Sequence, residues 1–394
     1  MSRIAAVLMV IAGWLVASPA AQAHGFASVL AKRASLTHGI AGDQRYVFTT
    51  EPGIGDSRPG GDVAEGTRPE GSFPRRDQGS APAGARVAVL DRFTGREVAT
   101  LPPPAGGFKL PFTLRVPSPG HLVVLDNAGF PPQGTPKVYD YSYRTDWHGF
   151  HAAVTRTTDF SGLPLAFAED VEVLPDGQYV VSESVIGGLW LIGRDGAIKP
   201  GMVPSTPAPL PKLGGCLFPA GPFTVGGLPF EPIGGFAPGA GSLAVRGSDL
   251  YLSSTCEGGV MKLPIAVLED ASKPAEDRVG AIQTVVPRAF SLESLKGIQF
   301  NRFDPRDPWL YAGDPFRLQL IRVDVRNGKR QVLSTDDRLF DFTVSTAFLP
   351  PLVPGLPNPL VTASDQEYRS TLLNSALTSD QFRQPFLIGR FFPR

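Results

Sequence analysis

The chain has 394 residues with 37 basic and 37 acidic side chains, so its formal net charge at pH 7 is zero. That balance excludes the basic surface of a nucleic-acid-binding protein and a cationic patch that would hold the chain on an anionic membrane. The 44 glycines and 40 prolines favour many short strands joined by tight turns over a helical fold.

The first 23 residues have the features of a secretory signal peptide. Arg3 supplies a positive charge, residues 4–16 form an almost wholly apolar run, and the small-residue pattern Ala-Gln-Ala ends at Ala23. The apolar run is too short for a transmembrane helix. We therefore expect cleavage near Ala23/His24, a secreted or periplasmic protein, and a mature domain over residues 24–394 without stable membrane insertion.

A unit of short strands separated by turns recurs along the mature chain. Its first strands are predicted at residues 112–116, 169–173, 241–245, 296–300 and 340–344. Its second strands are predicted at residues 121–125, 178–182, 249–253, 309–312 and 359–363. Third and fourth strands follow in most copies, and the recurrence predicts an all-β, six-bladed β-propeller of four-stranded antiparallel blades in one domain. A two-sheet sandwich is the structural alternative, but it does not explain the repeated strand order.

A partial sixth copy lies nearest the N-terminus. Residues 44–50, 86–90 and 97–101 are predicted as its second, third and fourth strands. The pattern does not mark its innermost strand, which residues 28–37 or 386–392 could supply.

Two long loops interrupt the repeat. Residues 52–85 are polar and rich in Gly and Pro, whereas residues 205–238 add many apolar side chains, so we expect the second loop to pack down on the domain. Cys216 and Cys256 are the two cysteines of the chain, and in an oxidising compartment a single pair favours a disulfide. That bond would fasten the second loop over one face of the propeller.

Carboxylates recur where a propeller brings loops together. The loops that lead into the first strands open on the same face as those joining second to third strands. Glu169, Asp170 and Asp341 lie at the start of first strands, and Asn127 follows a second strand, so their oxygens predict a calcium site. Alternatively, these acids are turn formers and solvated strand ends, since Asp and Asn favour turns. Further acids follow the second strands: Glu51, Asp126, Glu183, Asp314, Asp365 and Glu367.

The histidines are weaker candidates than the acids for residues of a functional site. His121, His148 and His151 are predicted on the opposite face or at the rim. His24 would begin the mature chain and could chelate copper, but it has no convincing second histidine ligand.

Two stretches resemble a known family. Residues 167–183 (FAEDVEVLPDGQYVVSE) and 238–254 (PGAGSLAVRGSDLYLSS) are similar to blades of the senescence marker protein/gluconolactonase superfamily, including its strictosidine synthase-like branch. The resemblance implies lactonase or phosphotriesterase chemistry, with calcium held by Glu, Asn and Asp at first strands. In this chain Gly241 and Lys296 lie at the corresponding ligand positions of blades four and five, and Lys296 is a candidate internal counter-charge.

The sequence supports two functions. The first is metal-assisted hydrolysis of a lactone or small ester, with Glu169, Asp170 and Asp341 as catalytic residues and calcium as the possible cofactor. The second is a non-catalytic or metal-free propeller that binds a small ligand or another extracytoplasmic protein. In either case we expect a monomer whose partner is a small molecule and not a nucleic acid.

Overall fold

Strands dominate the described part of the chain, and the predicted all-β six-bladed propeller is confirmed. The computed structural model describes residues 25–54, 84–128, 134–165, 167–184, 187–202, 223–231, 240–254, 258–287, 293–353, 355–371 and 374–393. Cys216 and Cys256 lie outside these ranges, so the disulfide stays a prediction, and so do the signal peptide and most of the loop at 52–85.

The first strand, β1 (Gly25–Arg33), belongs to the last blade, and the next three blades are continuous in the chain. Blade one contains β2 (Ile40–Gly42), β3 (Tyr46–Glu51), β4 (Arg86–Asp91) and β5 (Glu97–Thr100). Blade two contains β6 (Pro111–Ser118), β7 (His121–Asp126), β8 (Lys137–Asp146) and β9 (Gly149–Asp159). Blade three contains β10 (Ala168–Val173), β11 (Tyr179–Glu183), β12 (Gly188–Ile192) and β13 (Ile198–Met202).

A hairpin separates blades three and four, formed by β14 (Phe223–Val225) and β15 (Leu228–Phe230). Blade four contains β16 (Ala240–Arg246), β17 (Asp249–Ser254), β18 (Val260–Pro264) and β19 (Gln283–Val286). Blade five contains β20 (Lys296–Phe300), β21 (Trp309–Asp314), β22 (Gln319–Asp324) and β23 (Lys329–Ser334). Blade six contains β24 (Thr346–Phe348), β25 (Leu360–Ala363), β26 (Phe386–Pro393) and β1.

Within the described ranges, helix is confined to short pieces. Two α-helices, α1 (Ile265–Glu269) and α2 (Ala275–Val279), lie between β18 and β19, and a 3₁₀ turn covers Glu367–Arg369. No helix in the described part of the chain is long and apolar enough to cross a membrane.

Apolar layers between neighbouring blades hold the ring together. Tyr139, Tyr141 and Tyr143 point to one side of β8, because alternate residues of a strand share a face, and they are buried with Phe48 of blade one. Trp190 of blade three is buried in the next layer, against blade two. Burying one such large side chain stabilises the fold by roughly 1.5–3 kcal/mol. The innermost strands contact one another in a closed ring around the central channel.

The two ends of the chain close the ring within one sheet. β1 pairs antiparallel with β26 along nearly its whole length, from Gly25 opposite Pro393 to Arg33 opposite Phe386. Neither end therefore supplies the innermost strand of blade one, in contrast to both options from the sequence. That strand is β2, whose three residues are too few to give an alternating pattern.

Blade six also differs from the sequence prediction. Its innermost strand is β24 and not residues 340–344, and its third strand is β26. Phe340, Phe342 and Val344 do alternate and are buried, but they belong to a loop in which Phe342 has a φ of 61°. Their apolar pattern reflects packing of the loop and not pairing in a sheet.

Candidate functional site

One face of the propeller collects the segments that precede the innermost strands and those that follow the second strands. We call it the mouth face. His38 and Phe167 precede β2 and β10 on this face, and Asn127, Asp314 and Asp365 lie at or beyond the ends of β7, β21 and β25. The sequence-predicted acids and the residues described below therefore share one side of the ring.

A buried ion-pair network crosses the channel between blades two and three. Arg115 of β6 donates from Nη2 to both carboxylate oxygens of Asp170 at 2.8 Å, and from Nε to Glu172 at 3.0 Å. The backbone N–H of Leu243 in blade four also donates to Asp170, at 2.9 Å. Arg115 and Asp170 are both less than a tenth exposed. Asp170 is thus held by protein donors on several sides.

Glu169 has a different partner. The ammonium of Lys296, at the start of β20, contacts Oε1 of Glu169 across the channel, so a cation of blade five meets an anion of blade three. Both side chains are mostly buried. Lys296 therefore supplies the internal counter-charge that the sequence suggested.

Asn127 and Asp341 are engaged elsewhere. The amide of Asn127 donates to the carbonyl of Ala168 at 3.0 Å and accepts from the N–H of the same residue at 3.2 Å. Asp341 accepts from the Tyr368 hydroxyl at 2.8 Å, and its other oxygen lies 3.5 Å from Nε of Arg369. Both side chains are buried.

These four sequence-predicted ligands do not fit a calcium ion as they are placed. Calcium takes six to eight oxygens that converge on one point. Among the described residues, Glu169, Asp170 and Asp341 do not form a group whose ligand atoms all lie within 4.8 Å of one another. Calcium binding itself stays a prediction, which metal analysis of the purified protein tests.

A second cluster lies where blades one and six meet. Nδ1 of His38 is 2.6 Å from Oδ2 of Asp365 and 3.2 Å from Oε1 of Glu367. The imidazole stacks on Phe112, with ring centroids 3.6 Å apart. Within the described ranges, this is the one group of three His, Cys, Asp or Glu residues whose ligand atoms all lie within 4.8 Å of one another.

Ring closure places this cluster. The N–H of His38 donates to the carbonyl of Thr50 in β3 at 3.1 Å, which fixes His38 just before β2. On the other side, the N–H of Gln366 donates to the carbonyl of Asp341 at 3.2 Å, and Glu367 donates its N–H to Oδ1 of Asp365 at 3.1 Å. The three side chains therefore meet because the last blade packs against the first.

The surroundings of the cluster are apolar and its charge is concentrated. Phe112, Phe167 and Phe386 are buried together beside it. Burial alone would lower the pKa of His38, but the carboxylates of Asp365 and Glu367 outweigh burial and raise the pKa to about 10. Burial, together with the charge of Glu367, raises the pKa of Asp365 to about 8 despite the adjacent imidazole. The protonated, positively charged form of the His38 imidazole is thus favoured at neutral pH.

The hairpin β14–β15 packs on the mouth face beside this cluster. Phe230 lies 6.0 Å from Phe342 between ring centroids, and Phe342 lies 5.3 Å from Tyr368, the neighbour of Glu367 in sequence. Nδ2 of Asn374 donates to the carbonyl of Pro229 at 2.8 Å. The part of the 205–238 loop that is described is therefore packed down.

Sequence reasoning missed His38 as a site residue. It placed Asp365 and Glu367 on the correct face but gave them no role. The order of strands could have indicated this contact. In a closed ring the first blade packs against the last, so a residue just before the innermost strand of blade one must lie beside blade six. That inference required β2, which the pattern did not reveal.

The fold and the buried charges of the mouth face define a six-bladed β-propeller with a polar channel. No protein-family model matches the sequence, and no curated protein sequence matches it. The similarity to known proteins lies in solved structures of low sequence identity, which supports the fold alone.

Three of these structures span most of the chain, each with 12% identity. The PQQ-bound aldose sugar dehydrogenase of Streptomyces coelicolor has a TM-score of 0.50, covering 96% of this chain and 100% of its own. A gluconolactonase of Xanthomonas campestris has a TM-score of 0.50, covering 94% of this chain and 90% of its own. A protein of unknown function from Bacteroides thetaiotaomicron has a TM-score of 0.53, covering 94% of this chain and 76% of its own.

Proposed function

We infer that this propeller is an extracytoplasmic hydrolase of a lactone or another small ester, related in chemistry to gluconolactonase-type enzymes. The observation that carries the proposal is the His38–Asp365–Glu367 cluster on the mouth face. Ester hydrolysis needs a positive charge at the carbonyl oxygen and a base for the attacking water. The cluster supplies both types of group beside buried aromatic side chains.

Each residue has a distinct role in this scheme. His38, positively charged at neutral pH, stabilises the negative charge that develops on the carbonyl oxygen as water attacks the carbonyl carbon. Oε1 of Glu367 faces His38, which leaves the second carboxylate oxygen to accept the proton of that water. The C–O bond to the leaving alkoxide then breaks, and Glu367 returns the proton to it. Asp365 contacts no substrate in this scheme and orients the imidazole.

The partial exposure of Glu367 supports its role. Its side chain is 18% exposed, whereas those of His38 and Asp365 are almost fully buried. A substrate at the mouth face would reach the cluster through the carboxylate of Glu367. The Phe112 ring, stacked on the imidazole, keeps bulk water from the other side of His38.

The test is an assay of the purified protein on a panel of lactones and aryl esters. We expect His38→Gln to lower kcat/KM at least about 100-fold, since it removes a charge that acts on the transition state. His121→Gln is the matched control, because His121 also pairs with a carboxylate, Asp140 at 3.0 Å, but begins β7 at the opposite end of the strand from the mouth face. Equal activity of the two variants would contradict the proposal.

Glu169, Asp170 and Asp341 remain the alternative catalytic set. Glu169→Gln distinguishes the two sets, because Glu169 touches none of the three cluster residues through a hydrogen bond or ion pair in the described structure. If hydrolysis depends on Glu169 and not on His38, the catalytic centre is the one that the sequence predicted.

A second candidate function is a metal-free propeller that binds a small ligand or another extracytoplasmic protein. The observation that favours it is the internal neutralisation of the channel, where Lys296 meets Glu169 and Arg115 meets Asp170. Such a channel has charges already satisfied by protein groups. Saturable ligand binding without turnover of any ester would support this alternative.

A further inference from the structure

Two buried polar atoms of the cluster lack hydrogen bonds. Neither Nδ1 of His38 nor Oδ2 of Asp365 makes a hydrogen bond of acceptable geometry, although the two atoms are 2.6 Å apart. Both side chains are more than nine-tenths buried, and the two atoms face each other and Glu367. Buried polar atoms without partners are uncommon in folded proteins and call for an explanation.

The charge of the cluster differs from that of the other buried acids nearby. Glu169 has Lys296, and Asp170 has Arg115. By contrast, no Lys or Arg in the described ranges forms an ion pair with Asp365 or Glu367, whose only ionic contact is the imidazole of His38. When both carboxylates are ionised, a single imidazolium cannot balance their two negative charges, and such a group is costly against an apolar wall without a further cation.

The donor set selects the type of cation. It offers one imidazole nitrogen and two carboxylates, and imidazole suits first-row transition ions and zinc. Calcium is less suited, because it prefers more oxygen ligands and no nitrogen. Three protein ligands with a further position open are the arrangement of catalytic zinc sites.

We propose that His38, Asp365 and Glu367 bind one divalent zinc-type ion at the junction of blades one and six. The ion is held by Nδ1 of His38 and one oxygen from each carboxylate. Its position is distinct from the calcium site that the sequence predicted around Glu169. The binding site stands on the geometry alone. In the metal-bound form the ion would replace the proton of the His38 imidazole as the positive charge of the cluster, and only this catalytic role rests on the proposed function.

The experiment is a titration of chelator-treated full-length mature protein with zinc, followed by calorimetry and by competition with a chromophoric chelator. We expect one zinc per chain in the unmodified protein, and affinity at least 100-fold weaker in Asp365→Asn and in Glu367→Gln. Glu169→Gln and His121→Gln are the controls and should retain full affinity. Circular dichroism of each variant without metal reports whether it has folded.

Glu367→Gln keeps the test decisive if Asp365→Asn fails to fold, because Glu367 is the exposed member of the cluster. Zinc affinity unchanged in Glu367→Gln, or absence of stoichiometric zinc in the folded unmodified protein, would overturn the site. The outcome is separable from that of the proposed function. Hydrolysis that persists in metal-free protein removes the catalytic role of the ion but keeps the enzyme, whereas tight zinc binding without turnover keeps the metal site and removes the enzyme.

Discussion

Acids that follow the second strands mostly hold loops in place. Asp126 accepts the N–H of Leu110 at 2.7 Å, and Glu183 accepts the N–H of Phe167 at 3.0 Å. In both blades the carboxylate ties the end of the second strand to the segment that leads into the first. These two acids therefore have a structural role, but they are buried and are not the solvated strand ends of the sequence-based alternative.

Asp314 repeats this arrangement with a poorer set of partners. Oδ1 accepts the N–H of Ser294 at 3.3 Å, while Oδ2 makes no hydrogen bond and lies 3.9 Å from Nε of Arg317. Burial raises the pKa of Asp314 from 3.8 to about 6. The folded state therefore binds this proton more tightly than the unfolded state does.

The stability that Asp314 contributes is full below about pH 4 and is lost as the pH rises to about 6. Asp314→Asn should remove this pH dependence. Between pH 4 and pH 7 the free energy of unfolding of the unmodified protein should therefore fall by about 2–3 kcal/mol more than that of the variant. Urea unfolding at a series of pH values measures the difference. Asp304→Asn, at an exposed carboxylate, is the control. Parallel pH curves for Asp314→Asn and the unmodified protein would refute the prediction.

The strand β1 is the element on which closure of the ring depends. Leu30 is buried in a layer with Ile40, Leu90 and Ile388, whereas its neighbour Val29 is 47% exposed. We expect Leu30→Ala to lower the free energy of unfolding by about 2–3 kcal/mol through lost contacts and a cavity. Val29→Ala should change it by less than about 0.5 kcal/mol. Chemical denaturation of both variants is the measurement, and equal effects would show that β1 is not packed as described.

Residue patterns in the sequence predicted most of the blades. They failed where the local pattern of a segment does not match its pairing in a sheet. β7, β11 and β17 were evident because their residues are apolar and bounded by turns. β2 is too short to show alternation, and residues 340–344 alternate for reasons of loop packing. Closure by β1 and β26 could not be read locally, since each strand finds its partner at the far end of the chain.

At the scale of the whole molecule, Arg115 links blades two and three through the channel. Arg115→Met leaves Asp170 and Glu172 without their cation, so we expect a loss of about 3–5 kcal/mol in the free energy of unfolding. Arg115→Met combined with Asp170→Asn should recover part of that loss, because one uncompensated charge is removed. Arg144→Met, at a surface ion pair, should cost under about 1 kcal/mol.

Thermal and urea unfolding of these variants provides the measurement. A double variant less stable than Arg115→Met alone would contradict an electrostatic origin of the loss.

The same channel shows why the candidate site was only partly predictable from the sequence. Lys296 was recognised as a counter-charge from its position in the repeat, whereas the meeting of His38 with Asp365 depends on joining the first blade to the last.

Pairing of β1 with β26 also sets an order of events during synthesis. Strand β1 is made first, but its partner is Phe386–Pro393, near the end of the chain. Blade six therefore cannot be completed until residues 386–393 have been synthesised, and until then β1 presents an unpaired edge. His38 and Asp365 are likewise synthesised far apart in time, so the candidate centre cannot form before most of the blades have been made. A nascent chain stalled before residue 386 would contain all three cluster residues but would lack the strand that pairs with β1.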